Sequence, residues 1–303
     1  MKICLIGGAG YIGTFLSNNL EHEITVIDDF RFGDFINSDI IKIRKNFNDI
    51  KTLDYYDVVI YLAGISSVMV NELTPENSYY ENVVLPLKAC LLSKNSGIKK
   101  FIYSSSCSVY DSSEGDIKKE KDTILKSKFH YSNNKRNAEE VLLDLNDKNF
   151  EVIIVRNGTV CGHSDNFRTD LLINKMCFDA LMYKKITIKN NNLNRPILFI
   201  EDLKNFYNIL INSKKNNKGI INAMSFNTSL IEASNRFKEK FGTEISVNDD
   251  NSDNRDYLVD NTKMLGLYNP IGNLDLVISN ILENFNYNIY SNRLDYFNKT
   301  GVY

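Results

Sequence analysis

Five short apolar runs recur through the first half of the chain: KICLI (2–6), EITVID (23–28), DVVIYLAG (57–64), KKFIYSS (99–105) and EVIIVR (151–156). They are continuous rather than alternating, the pattern of parallel strands buried on both faces. Longer helical patterns stand between them, near 11–20, 76–96 and 131–148. This βαβ alternation predicts an α/β fold with a doubly wound parallel sheet. After about residue 156 the pattern changes. Segments 170–184, 201–213 and 229–241 predict helices, separated by the polar loops KNNNLN (189–194), KKNNKG (214–219) and NDDNSDN (248–254). No internal repeat is present. The chain therefore divides into a doubly wound half, 1–156, and a smaller, more irregular half, 157–303, with a stretch near 195–220 able to return to the first. A cleft between two such halves is the expected ligand site.

The turn after the first apolar run is GGAGYIG. Its glycines satisfy both G-x-G-x-x-G (Gly8, Gly10, Gly13) and G-x-x-G-x-x-G (Gly7, Gly10, Gly13). Glycines there permit a sharp turn, close backbone approach to a pyrophosphate, and tight helix–strand packing. The same pattern also suits a plain turn, so its context decides. The second strand ends in Asp28, about 20 residues on, where a carboxylate can accept from both hydroxyls of an adenosine ribose. Such a carboxylate repels a 2′-phosphate and favours NAD over NADP. Asp29 competes for that role, and Arg31 leaves room for NADP.

Composition and charge remove other classes. A net charge of −2 gives no reason to expect a nucleic acid or an anionic membrane as partner. The longest apolar run, 58–70, contains a glycine and two serines and is too short to span a bilayer. The glycine turn interrupts the first apolar run too early for a signal peptide, so a cytoplasmic location is expected. Five scattered cysteines without a CxxC pair suit free thiols. The three histidines, His22, His130 and His163, have no metal-ligand spacing, and no metal is expected.

Tyr131 and Lys135 form Y-x-x-x-K at the start of a helical pattern, which puts both on one helix face. A tyrosine with pKa about 10 is a poor base near neutrality, and a neighbouring ammonium favours its phenolate. Upstream, the fourth strand runs into Ser104, Ser105 and Ser106, then Cys107-Ser108-Val109-Tyr110. Hydroxyls at the carboxyl end of a central strand lie where open α/β sheets bind ligands.

In this order the glycine turn, acidic strand end, serine cluster and Y-x-x-x-K resemble the extended short-chain dehydrogenases/reductases that act on nucleotide sugars. The resemblance runs through nearly the whole chain: Asp49-Ile50, YLAG (61–64), Asn82-Val83, SSSCSVY (104–110), YSNNK (131–135), RPILFIED (195–202) and NRDYLVDNTKMLGL (254–267). It implies a Rossmann sheet with a smaller C-terminal α/β substrate-binding domain, NAD as cofactor and a nucleoside-diphosphate sugar as substrate. Gly7, Gly10, Tyr11, Ile12, Gly13, Asp28, Asp49, Ile50, Leu62, Ala63, Gly64 and Lys135 then fall in the cofactor site. Tyr131 is the implied base, Ser106 its hydroxyl partner, and Lys135 the group that lowers the tyrosine pKa. Ser66, Asn82, Ser106, Thr159, Arg195 and Arg255 fall in the substrate site, the two arginines on the diphosphate. Guanidinium suits that task because it is always charged and donates bidentately.

The resemblance implies hydride transfer at C4 of a hexose or heptose, as a 4-epimerase or a 4-dehydrogenase. A 4-keto-sugar reductase is the nearest alternative, and a non-catalytic NAD-sensing protein a remote one. Cys107 and Ser108 stand where relatives that remove water across C5–C6 carry an Asp-Glu pair, so a 4,6-dehydratase is not expected. Asp111, Thr159 and Cys161 also depart from common residues in the sugar pocket. A homodimer is expected through helices near 76–96 and 131–148. Their Leu85, Leu87, Leu91, Val141, Leu142 and Leu145 either pair across a two-fold axis or cover the sheet.

Overall fold

The computed structural model describes residues 1–122, 126–189, 193–248 and 255–285. Among them the strands are, in chain order, β1 (Lys2–Ile6), β2 (Glu23–Asp28), β3 (Ile41–Arg44), β4 (Val58–Tyr61), β5 (Lys100–Ser106), β6 (Ser112–Lys118) and β7 (Glu151–Asn157). Then follow β8 (Thr159–Cys161), β9 (Lys185–Lys189), β10 (Asn194–Phe199), β11 (Gly219–Ala223), β12 (Phe226–Ser229), β13 (Glu244–Asn248) and β14 (Asp256–Val259). Seven of them form one parallel sheet in the order β11-β7-β5-β4-β1-β2-β3. The chain order reverses between β1 and β4, which is the switch point where doubly wound sheets bind ligands.

The continuous apolar runs explain the sheet. Successive side chains of a strand point to opposite faces. Ile3, Leu5, Ile60, Ile102 and Ile153 pack into one core. Cys4, Ile6, Val59, Phe101 and Ile154 pack into the other. Helices cover both faces. On one lies α1 (Tyr11–Asn19), beside a later helix described below. The short helices α2 (Val68–Leu73) and α3 (Pro75–Tyr79) lead through a wider turn, Tyr80–Val84, into α4 (Leu85–Asn95). With α5 (His130–Leu143), α4 buries Leu85, Ala89, Ala138 and Leu142 against the second face. Leu85 and Leu142 thus cover the sheet, whereas Leu91 is exposed.

The predicted helix 131–148 stops at Leu143 because the following turn competes for backbone donors. Asn146 Oδ1 accepts from Val152 N at 2.7 Å, and Asp147 Oδ1 accepts from Phe150 N at 2.9 Å. The second half supplies α6 (Leu172–Tyr183), α7 (Ile200–Asn212), α8 (Leu230–Phe241), α9 (Thr262–Leu265) and α10 (Leu274–Glu283). Here α7 packs beside α1, and β11 adds to β7 in parallel, so this part of the chain rejoins the large sheet. Lys100 at the start of β5 caps α7, donating from Nζ to Leu210 O at 2.5 Å and Ser213 O at 3.1 Å. A capping box of Ser229 and Glu232 starts α8. Of the predicted loops, residues 249–254 and 190–192 lie outside the described residues, and Asn248 ends β13. No helix among the described residues is long and apolar enough to cross a membrane.

Strands β12, β10 and β8 form a small sheet, and β14 pairs with β6. Asp202 at the start of α7 fixes this half. Its buried carboxylate accepts from Ser225 Oγ at 2.6 Å, Tyr268 OH at 2.7 Å, Ile271 N at 3.0 Å and Gly272 N at 2.8 Å.

Candidate active site

The glycine turn joins β1 to α1, and its glycines have different reasons to be glycine. Gly7 has φ +82°, and a Cβ there would stand 2.4 Å from Ala63 N. At Gly13 a Cβ would meet Gly7 O at 2.4 Å, so the helix lies against the turn. Gly10 is different, because its nearest protein atom would be Gly7 O, at an ordinary 3.6 Å. The protein itself does not require glycine at Gly10. Gly10 therefore leaves the space at the α1 N-terminus open. Tyr11 and Ile12 follow in the first turn, where backbone N–H groups have no partner within the helix. The Tyr11 phenol points elsewhere, donating to Gly162 O at 2.7 Å.

Asp28, at the end of β2, turns its carboxylate onto the same turn. Oδ2 accepts from Ala9 N at 3.0 Å and Oδ1 from Phe30 N at 2.8 Å. Burial raises its pKa, and those two backbone donors oppose the rise. Asp49 closes a single turn, Phe47–Asp49, and Ile50 behind it is buried. After β4, Leu62 N and Ala63 N both donate to Ile6 O, at 2.8 and 3.1 Å. Gly64 has φ +137°, and a Cβ there would come within 2.4 Å of Asn82 Oδ1. Asn82 is fully buried and donates to Ile65 O and Asn71 Oδ1, at 3.1 and 3.0 Å. Leu62, Ala63, Gly64 and Asn82 thus line up along the carboxyl edge of the sheet beside the glycine turn.

Further along that edge, β5 ends in Ser106, and the first turn of α5 brings Tyr131 to it. The phenol is half-buried and faces the Ser106 hydroxyl, which itself accepts from Ser108 N at 3.1 Å. Its pKa lies above the ordinary tyrosine value, because burial outweighs the Ser106 hydroxyl and the charges of Arg168 and Arg255, which lower it. One turn on, buried Lys135 donates from Nζ to Ser104 O at 2.9 Å and lies 5.9 Å from the Tyr131 ring centroid. Burial lowers its pKa to about 8, and Glu139 opposes that shift. Glu139, two turns beyond Tyr131, accepts from Ser105 Oγ at 2.5 Å and from Arg156 Nη2 at 2.7 Å. This buried ion pair anchors α5 to β5 and β7, and so sets the position of Lys135 and Tyr131.

Residues of the second half reach the start of α5. Arg195 on β10 is buried, and Nη1 donates to the Arg255 carbonyl. The Arg255 guanidinium stands 5.1 Å from the Phe129 ring, two residues before Tyr131. The two predicted arginines are therefore neighbours, although 60 residues apart in sequence. Thr159 opens β8 in register with Ile197, two residues beyond Arg195.

Sequence reasoning missed the segment 162–170, which crosses from β8 to the glycine turn. Ser164 Oγ donates to Tyr11 O at 2.8 Å, and Asn166 Nδ2 donates to Ala9 O at 2.5 Å. Asn174 braces it, accepting from Gly162 N at 3.0 Å and donating to Arg168 O at 3.1 Å. At its end Arg168 donates from Nη1 to Ser66 Oγ at 2.7 Å and pairs with Asp170. Ser66, read as substrate-binding, is thus engaged by an arginine from the other half. No periodicity marks Arg168. The only local signal is an acid two residues away.

The model of the NAD dependent epimerase/dehydratase family matches residues 3–223. The UDP-glucose 4-epimerase of Klebsiella pneumoniae is 30% identical over 129 residues, 36% of this chain and 92% of that protein. The probable UDP-arabinose 4-epimerase 3 of Oryza sativa subsp. japonica is 27% identical over 221 residues, 59% of this chain. That match spans about half of the rice relative, 52% of its length. Among solved structures, the UDP-glucuronic acid 4-epimerase of Bacillus cereus, in complex with UDP-glucuronic acid and NAD, superposes with TM-score 0.82. The superposition covers 92% of this chain and 97% of that one at 22% identity. The Thermotoga maritima UDP-glucose 4-epimerase, with UDP-glucose, gives 0.83 over 94% and 99% at 21% identity. These two likenesses show the shared fold. The family match runs from β1 to β11, the whole of the large sheet, and the chain belongs to the NAD-dependent epimerase/dehydratase family.

Proposed function

We propose that this protein is an NAD-dependent oxidoreductase acting at C4 of a nucleoside-diphosphate sugar, as a 4-epimerase or 4-dehydrogenase. One observation carries the reading: Ser106 at the carboxyl end of β5 stands close enough to Tyr131 to lower its pKa, and the Lys135 ammonium, one helical turn on, lies 5.9 Å from its ring centroid. The family match and the curated 4-epimerase relatives support the same chemistry.

The glycine turn fits a pyrophosphate, because Gly10 leaves room that no protein atom takes. Gly7, Gly10, Tyr11, Ile12 and Gly13 would hold the phosphates, Asp28 the adenosine ribose, and Asp49 and Ile50 the adenine. Leu62, Ala63 and Gly64 would lie beneath the cofactor, and Lys135 would reach the nicotinamide ribose. When bound, NAD supplies the hydride acceptor and, for the reverse step, the donor. The residues of this chain handle the proton. Ser106 and Tyr131 hold the sugar's C4 oxygen, and Tyr131 takes its proton on oxidation and returns it on reduction. Lys135 favours the phenolate by its charge. Arg195 and Arg255 would hold the sugar nucleotide's diphosphate, with Thr159 and Ser66 along the sugar and the buried Asn82 holding the Ile65–Ser66 loop through Ile65 O.

Cys107, where dehydratases of this family carry an acid, is buried and donates to Arg156 O at 3.1 Å. Burial raises its thiol pKa, so it offers neither an acid nor a base near neutrality. This favours C4 redox chemistry over water removal. Incubation of purified protein with UDP-, GDP-, dTDP- and CDP-sugars, followed at the reduced-nicotinamide band and by product chromatography, tests the reading. Turnover of one sugar nucleotide at C4 supports it, and failure with every sugar and cofactor state overturns it.

The proposal includes a cytoplasmic homodimer. Exposed Val84 and Leu91 at the α4 edge support a subunit contact there. Sedimentation as a monomer at micromolar concentration would remove the dimer.

A further inference from the structure

We infer that Asp29, through its ion pair with Arg31, is a determinant of cofactor choice that keeps a 2′-phosphate out of the adenosine-ribose end of the site. This rests on the reading of Asp28 as the ribose acid. The loop after β2 turns sharply at Phe30, whose φ is +56°. That turn folds Arg31 back on Asp29. Arg31 Nε donates to Asp29 Oδ2 at 2.9 Å, Nη2 donates to the same oxygen at 2.5 Å, and Arg31 N donates to Oδ1 at 3.2 Å. The guanidinium also feels the charges of Glu81 and Asp28. On the neighbouring strand, Lys42 and Arg44 are both paired with Asp34.

An arginine just past the second strand is the group that accommodates the extra phosphate of NADP. Here it is present but held by a carboxylate two residues away. A 2′-phosphate arriving at Asp28 would meet two adjacent carboxylates, and would have to displace Asp29 from its ion pair to gain Arg31. Asp29 and Arg31 are both partly exposed, at 29% and 48%, so substituting them leaves the core untouched. The sequence offers Arg31 as a reason to admit NADP. The ion pair reverses that reading.

The test measures NADH and NADPH affinities of the full chain, stripped of cofactor, by calorimetry. Wild type, Asp29→Ala and Asp29→Ala/Arg31→Ala are compared. Wild type should prefer NADH. Asp29→Ala should bind NADPH about tenfold tighter, the size of one freed charge-assisted contact, and the double variant should lose the gain. Unchanged NADPH affinity in Asp29→Ala, or a gain that survives loss of Arg31, overturns the inference alone. A wild type that binds neither dinucleotide overturns the cofactor reading beneath it.

Discussion

The Lys135 ammonium lies 5.9 Å from the ring centroid of Tyr131, one helical turn away on the same face of α5. The Ser106 hydroxyl faces the phenol and lowers its pKa. Tyr131→Phe removes the proposed proton acceptor and leaves the ring's packing in place. Turnover should fall by about 100- to 10,000-fold, the range of one positioned acid–base group, with cofactor affinity unchanged. Retained turnover in Tyr131→Phe would assign the base elsewhere.

Lys135 gives the site a pH limit. Burial brings its pKa down to about 8, so its ammonium, and its support for the Tyr131 phenolate, fade above that pH. The rate profile should therefore decline on its alkaline side from about pH 8. The linkage for folding has the opposite sign. The unfolded chain holds this proton up to the ordinary lysine value, so stability should rise with pH between the two values. Lys135→Met should abolish activity, lose that rise, and melt slightly higher than wild type near neutrality. Thermal melts from pH 6 to 10 decide it.

The three glycines of the turn should separate fold from binding. Gly7→Ala places a Cβ 2.4 Å from Ala63 N on a left-handed backbone, and should cost about 2–4 kcal/mol. Gly10→Ala meets no protein atom closer than 3.6 Å, and should melt within about 0.5 kcal/mol of wild type while losing dinucleotide affinity. Denaturant unfolding and calorimetric binding give both numbers for each variant.

Arg168 brings a positive charge to Tyr131 from the other half of the chain. Arg168→Gln removes that charge and keeps much of the side chain's length. The Tyr131 pKa should rise further, shifting the rate profile to higher pH. A uniform loss of rate, with an unmoved profile, would make Arg168 a structural clamp between Asp170 and Ser66 only.

What the sequence made legible has a physical pattern. Strands buried on both faces need unbroken apolar runs, so β1, β2, β4, β5 and β7 were visible. The edge strand β3, IKIR, alternates with lysine and arginine at the sheet's exposed margin, and was not read. In the site, Tyr131 and Lys135 are four residues apart on one helix, and helical spacing alone aligns them. Arg168 reaches Ser66 across 102 residues, along a segment braced by Asn174 and the glycine turn, and no local pattern encodes that path. Asp29 and Arg31 both stand out in the sequence, but their pairing depends on the left-handed turn at Phe30, which residue types do not announce.

The central claim is C4 redox chemistry with Tyr131 as the proton carrier, and a nucleotide sugar carrying deuterium at C4 tests it most directly. A single turnover should leave the deuterium either in the reduced cofactor or back at C4 of the epimer, with none released to solvent, and Tyr131→Phe should block both. Deuterium washing out into water, or a C4 label untouched while product forms, would contradict the account.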